Sequence, residues 1–260
     1  MRRWNLTRGA LSLRCGRTAC RLRRIAAAGG RARCDATHGL GARGKGTNYK
    51  VLYRFFGKPD GAGPDASLID VRGTLYNTTT YGGTAKRGVI FSVTKSGMEK
   101  VLCSVQRRSD GEVPEAGLID VKGALYGTTS GGGSYFYSSD SDSGTVFSVT
   151  TSGAEKVLHS FGHRTDGVHP VASLIDVSHR LYGTTFSGRK HNFWGTVFSI
   201  TTSGSEKVRY SFAGGTDGSQ PAAGLIDVGG TLYGTTSHGG AYSVCARGIG
   251  CGTVFSITKS

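Results

Sequence analysis

From residue 51 onward, apolar and polar residues alternate in short bursts that return in the same order four times. Val51, Tyr53 and Phe55 share one face of 51–55, and Val208, Tyr210 and Phe212 share one face of 208–212. A period of two over five residues predicts a strand with one buried face. The matching strands are expected at 101–105 and 157–161. Next comes Asp-Gly-x-x-Pro, at 60–64, 110–114, 166–170 and 217–221. Here Asp can bond its own backbone, Gly permits positive φ, and Pro halts a ladder, so this stretch predicts a loop. Leu-Ile-Asp-Val follows at 68–71, 118–121, 174–177 and 225–228, a short strand whose adjacent apolar residues suggest burial on both faces.

Tight turns Arg72-Gly73, Lys122-Gly123 and Gly229-Gly230 lead into the most regular motif. Leu-Tyr-Gly-Thr-Thr stands at 125–129, 181–185 and 232–236, and as Leu-Tyr-Asn-Thr-Thr at 75–79. The third unit has Ser178-His179-Arg180 before it, which predicts a different or looser turn. A glycine-bearing loop of variable length then leads to a last strand at 89–94, 145–150, 196–201 and 253–258. Ser-Gly turns at 96–97, 152–153 and 203–204 lead through Glu-Lys into the next unit.

Four strands per unit of about fifty residues describe a β-propeller blade, covered on both faces by its neighbours. The units run 51–100, 101–156, 157–207 and 208–260, within a repeat domain at 47–260. The expected fold is all-β, about four four-stranded blades, with the leading strand 51–55 closing the last blade. Such closure leaves no open edge, and a monomer is expected. A fragment of a longer array is the competing reading. Antiparallel strands turn at alternate ends, so the Asp-Gly-x-x-Pro loops and the long variable loops should share one rim. Loops held on a rigid scaffold carry binding, which makes that rim the place for a ligand.

These linked motifs resemble the GloVer tandem-repeat family of bacteria. Unit three carries most of the pattern: Val157 to Phe161, Asp166-Gly167, Pro170, Leu174-Ile175, Leu181 to Thr185 and Gly195-Thr196-Val197-Phe198. The resemblance spans about residues 51–260; unit one departs from it at Asn77 and Val89-Ile90. It implies an exported or surface-attached protein, although the chain shows no clear export signal or anchor. It implies no catalytic residues and no cofactor.

Composition changes the picture in one place. The formal charge of +15 suggests nucleic-acid binding until it is located. Residues 1–46 hold twelve Lys/Arg against the single acid Asp35, which leaves the repeats only mildly basic. Arginines interrupt every apolar run of a secretory signal in this segment. It is read as a disordered or wrongly assigned leader, with an organellar transit peptide or a basic arm as other readings. No specific nucleic-acid partner is expected. No apolar run approaches the roughly 18 residues of a membrane span.

Candidate chemistry is sparse. Aspartates repeated in every unit are best read as turn and packing devices. His159 occupies a strand position held elsewhere by Tyr53, Cys103 and Tyr210, so His159 and Cys103 are expected to be packed residues. The run Ser139 to Gly144 lacks the third acid and the distal glutamate of a calcium loop and reads as a polar loop. Cys245 and Cys251 lie inside the fourth long loop, and a local disulfide between them is expected in an oxidising compartment. No metal site, no cofactor and no catalytic set is expected.

The long loops also carry aromatics and histidines: Tyr81, Tyr135, Tyr137, His191, Trp194, His238 and Tyr242. Aromatic faces beside small polar groups suit sugar rings or protein partners. A non-enzymatic binding or surface-interaction module for glycan or protein is therefore expected. A hydrolase or lyase on a propeller scaffold is one alternative, and a purely architectural repeat is another.

Overall fold

The repeats fold as a series of antiparallel meanders, in a computed structural model that describes residues 48–135, 143–163, 165–188, 194–241, 245 and 249–259. The chain divides into two units, Met1–Lys50 and Val51–Ser260, and the architecture below is that of the second. The first sheet holds β1 (Ile69–Val71), β2 (Thr74–Thr79), β3 (Val89–Thr94) and β4 (Glu99–Ser104). The second holds β5 (Ile119–Val121), β6 (Ala124–Thr129), β7 (Thr145–Thr150) and β8 (Glu155–Ser160). The third holds β9 (Ile175–Val177), β10 (Arg180–Thr185), β11 (Thr196–Thr201) and β12 (Glu206–Ser211). The fourth holds three strands: β13 (Ile226–Val228), β14 (Thr231–Thr236) and β15 (Thr253–Thr258). Strand order follows chain order in every sheet. This is an all-β, propeller-type architecture of about four blades.

The first hairpin of each sheet needs two successive residues at positive φ, the geometry that matches strand twist. Arg72 and Gly73 supply it at 52° and 85°, and Lys122 and Gly123 at 55° and 85°. The preceding aspartate closes the turn, with Gly73 N donating to Asp70 Oδ1 at 2.7 Å. The different turn expected in unit three does not occur. Ser178 and His179 adopt the same geometry at 54° and 63°, and Val177 pairs with Arg180 in the same register. The ladder on either side dictates the turn there, against the preference of its residues.

Leu-Tyr-x-Thr-Thr is an inner strand of each sheet, and in sheets one to three both of its faces are packed. A Cβ at Gly183 would lie 2.7 Å from Phe198 Cζ and 2.8 Å from Leu174 Cδ2, so the glycine is the space the phenylalanine ring fills. Asn77 takes this place in unit one and turns its amide nitrogen to Ala66 O at 2.7 Å. The final threonine bonds its cross-strand partner: Thr129 Oγ1 to Thr145 Oγ1 at 2.9 Å and Thr185 Oγ1 to Thr196 Oγ1 at 2.8 Å. These hydroxyls are fully buried, so mutual bonding removes what would otherwise be a desolvation penalty.

Three joints between sheets form the core, and all are built alike. Val71, Tyr76 and Ile90 of the first sheet meet Leu118, Leu125 and Phe147 of the second. Val121, Tyr126 and Val146 meet Leu174, Leu181 and Phe198 at the next joint. Val177, Tyr182 and Val197 meet Leu225, Leu232 and Phe255 at the third. Each fully buried side chain of this size contributes about 1.5–3 kcal/mol.

The last blade departs from the expected four strands. The segment 51–55 is unpaired, and β15 is the edge of its sheet. Tyr53 and Phe55 pack instead on Val89, Phe91 and Val93 of the first sheet, with Phe55 and Phe91 ring centroids 4.9 Å apart. That aromatic contact holds the segment to its own unit. Val228 and Val254, whose counterparts are buried in the other sheets, are 57% and 80% exposed.

Candidate functional site

The two loop classes assigned to one rim do meet in every unit. Ala62 bridges Tyr81, Glu112 bridges Gly131, Val168 bridges Ser187, and Ser219 bridges His238. Each bridge joins the Asp-Gly-x-x-Pro loop to the second residue past the final threonine of Leu-Tyr-x-Thr-Thr. Where units three and four adjoin, the rim opens into a cavity of about 440 Å³. Its walls include Trp194, Ser219, Gln220 and His238, and glycines 215, 239, 240 and 250 supply most of the rest.

Local geometry explains the walls. Trp194 is half-buried and packs against the core of the third joint, and its carbonyl accepts from Gln220 N at 2.9 Å. A Cβ at Gly214 would sit 2.5 Å from the indole Nε1, so glycine is what lets the ring lie against the backbone there. Also in the lining, His238 N donates to Ser219 O at 3.1 Å and Ser219 N to His238 O at 2.8 Å. Ser237 Oγ lies 3.0 Å from His238 Nδ1, which leaves Nε2 without a protein partner among the described residues. Gly239 N donates to Ile249 O at 2.8 Å and Gly240 N to Gly215 O at 2.8 Å, which ties the fourth loop across the opening. Cys245 and Cys251 form a disulfide that closes this loop on itself.

Of the rim residues singled out in the sequence, Trp194 and His238 come together in this cavity. Tyr81 lies in unit one, 58% exposed and away from it. Tyr135 belongs to the joint between units two and three, where its ring lies 5.1 Å from that of His163. Tyr137, His191 and Tyr242 lie outside the described residues, as do residues 139–142 of the polar loop and the basic leader. Ser219 and Gln220 were not singled out; the signal for them is that they occupy the two positions between the loop glycine and its proline.

A second set of polar groups recurs on the outer strands. Tyr53 OH donates to Asp60 Oδ2 at 2.6 Å, Tyr210 OH to Asp217 Oδ1 at 2.6 Å, and His159 Nε2 lies 3.0 Å from Asp166 Oδ2. The same aspartates bind loop N–H groups, as Gly162 N to Asp166 Oδ1 at 3.2 Å. The bond to Asp60 is the chief reason the Tyr53 phenol is pushed up to about 12. Cys103 Sγ donates to Glu155 Oε2 at 2.8 Å, and burial foremost drives its thiol upward, away from a reactive thiolate. Glu99, Glu155 and Glu206 each have a buried Oε1 with no partner among the described residues. Desolvation raises all three carboxyls, that of Glu206 to about 7. Among the described residues no cluster of His, Cys, Asp and Glu could hold a metal ion, and no helix is long and apolar enough to cross a membrane.

Sheets repeated in chain order, with paired loops at one rim, define a propeller-type tandem-repeat protein. The chain belongs to the Gloeobacter/Verrucomicrobia repeat family, whose model matches residues 40–193 and 135–260. No curated protein matches it. Among solved structures it is similar to a luciferin-regenerating enzyme, at 16% identity and a TM-score of 0.43, over 73% of this chain and 59% of that one. It is also similar to a GH43 β-xylosidase/α-arabinofuranosidase from a compost microbial metagenome, at 13% identity and a TM-score of 0.42, over 76% and 73% of the two chains. A GH43 protein of Bacillus licheniformis matches at 13% identity and 0.40, over 76% of this chain and 39% of its own.

Proposed function

We propose that this protein is a non-enzymatic binding module that takes a glycan at the long-loop rim, in the cavity between units three and four. The observation that carries the reading is that Trp194 and His238 line the same, largely glycine-walled cavity. An indole beside small polar groups offers a flat apolar face to a sugar ring, and the free His238 Nε2, Ser219 and Gln220 offer hydrogen bonds at its edge. Glycine walls add little steric bulk, which suits a polymer entering from the side. Among the described residues no acid lines the cavity, which favours binding over the paired-carboxylate chemistry of a glycosidase. The disulfide that closes the fourth long loop fits an oxidising, surface-facing setting.

Affinity gel electrophoresis against soluble xylan, β-glucan and peptidoglycan fragments tests the reading. Wild-type protein should be retarded by at least one of them, and His238→Ala should lose most of that retardation while migrating normally in a blank gel. Absence of retardation in every gel, or retardation unchanged in His238→Ala and Ser219→Ala, would overturn it.

A further inference from the structure

The outer strands carry a polar cluster at each joint, and the residue at its centre changes from one joint to the next. Across the first joint Cys103 on β4 donates to Glu155 Oε2 on β8 at 2.8 Å. At the second joint His159 on β8 holds the place of Cys103, and Glu206 on β12 holds the place of Glu155. His159 Nε2 lies 3.0 Å from Asp166 Oδ2, and Phe161 meets the imidazole edge-on with ring centroids 4.8 Å apart. Asp166 is buried, and Glu206 keeps Oε1 buried with no partner among the described residues. An imidazole thus shares the second joint with two carboxyl groups.

A thiol and an imidazole serve this place differently. Burial drives the Cys103 thiol upward, so it stays a donor throughout the ordinary pH range. An imidazole holds one proton or two. With two, it donates to Asp166 and sets a positive charge beside Glu206. With one, the joint keeps two acids and no charge to balance them, which a partly desolvated site tolerates poorly. The Glu206 carboxyl is itself pushed up to about 7, by desolvation foremost, with His159 lowering it and Asp166 raising it. The three groups therefore titrate as one cluster that keeps its proton below about 7 and gives it up above. The adjoining strands bring no further charge, since β7 sets Val146 opposite His159 and β11 sets Ile200 opposite Glu206. Along β8 and β12, Glu155 turns to Cys103, Arg209 Nε donates to Ser199 Oγ, and Lys156 and Lys207 are exposed. On the loop, His163 lies against Tyr135.

The cluster also holds the rim. Asp166 Oδ1 accepts from Gly162 N at 3.2 Å, and Asp166 O accepts from Thr196 Oγ1 at 3.4 Å. Farther along the same loop, His169 N donates to Ser143 O across the joint at 3.0 Å. We propose that His159, Asp166 and Glu206 form a proton-operated latch between the second and third sheets, closed while they share a proton and loosened when it leaves. Loosening sets two like charges against each other and releases the loop 162–167 that Asp166 ties down. The first joint, with a thiol at the centre, lacks this device. The latch does not depend on a ligand in the cavity between units three and four.

Hydrogen–deuterium exchange of the full-length chain at about pH 5.5 and about pH 8.5, on either side of the Glu206 value and corrected for the intrinsic exchange rate, tests the proposal. Peptides over 157–167 and 204–208 should lose protection several-fold at the higher pH, while those over 101–105 should not. His159→Tyr, which gives this place the side chain of Tyr53 and Tyr210, should keep 157–167 equally protected at both pH values. Glu206→Gln, which leaves the imidazole in place, should do the same, and it decides alone if His159→Tyr is unprotected already at the lower pH. Equal wild-type protection at the two pH values would overturn the latch. So would an equal loss over 101–105, or a loss at high pH that persists in either folded variant.

Discussion

Gly183 shows how much a single residue decides in this fold. A methyl group there would need Phe198 and Leu174 to retreat from a fully packed joint. Gly183→Ala should therefore cost about 1–3 kcal/mol in denaturant unfolding. Gly123, with nothing within 4 Å of its Cβ position, should accept Asn almost neutrally, because Asn tolerates positive φ. Glu206 makes a second prediction at this scale. Its carboxyl titrates near 4.5 when exposed and is pushed up to about 7 in the fold by desolvation, offset in part by His159. The folded state then binds more protons than the unfolded state between those two values. The group's contribution is intact below about 4.5 and is lost as pH rises to about 7. Glu206→Gln should flatten that decline in a series of melts from pH 4 to 8; an unchanged slope would place the burden on Glu99 and Glu155, which desolvation also raises.

Among the elements, strand identity and order were legible in the sequence because each strand carries its own repeated motif. Leu-Tyr-Gly-Thr-Thr, Leu-Ile-Asp-Val and Thr-Val-Phe-Ser each name a position in the sheet. The start of the outer strand was less legible: it begins at Glu99, Glu155 and Glu206, two residues before the apolar alternation that announced it. Burying a glutamate there depends on the facing sheet, which local pattern does not encode. The turn at Ser178-His179 was misjudged for the same reason, since register on both sides imposes a geometry its residues do not favour. The site divides similarly. Trp194 and His238 stood out as an aromatic and a histidine in loops, but their convergence depends on the glycines that let those loops approach. The loop closed by Cys245 and Cys251 is short, and its cross-link should be worth about 2 kcal/mol to local order. Reduction should weaken binding at the cavity several-fold while leaving the far-UV spectrum of the sheets unchanged.

Across the whole repeat unit, sameness and difference have separate jobs. What recurs makes joints: the leucines, the tyrosines, the phenylalanine over its glycine, the paired threonines. What varies lies mostly on the long loops, which run 80–88, 130–144, 186–195 and 237–252. The central claim is that the single joint between units three and four, rather than the rim as a whole, receives the ligand. Hydrogen–deuterium exchange with and without the polysaccharide that retards the protein measures it directly. The account predicts added protection confined to residues 214–220 and 237–241. Protection spread equally over the equivalent loops of units one and two, or found at the opposite hairpin rim, would contradict it.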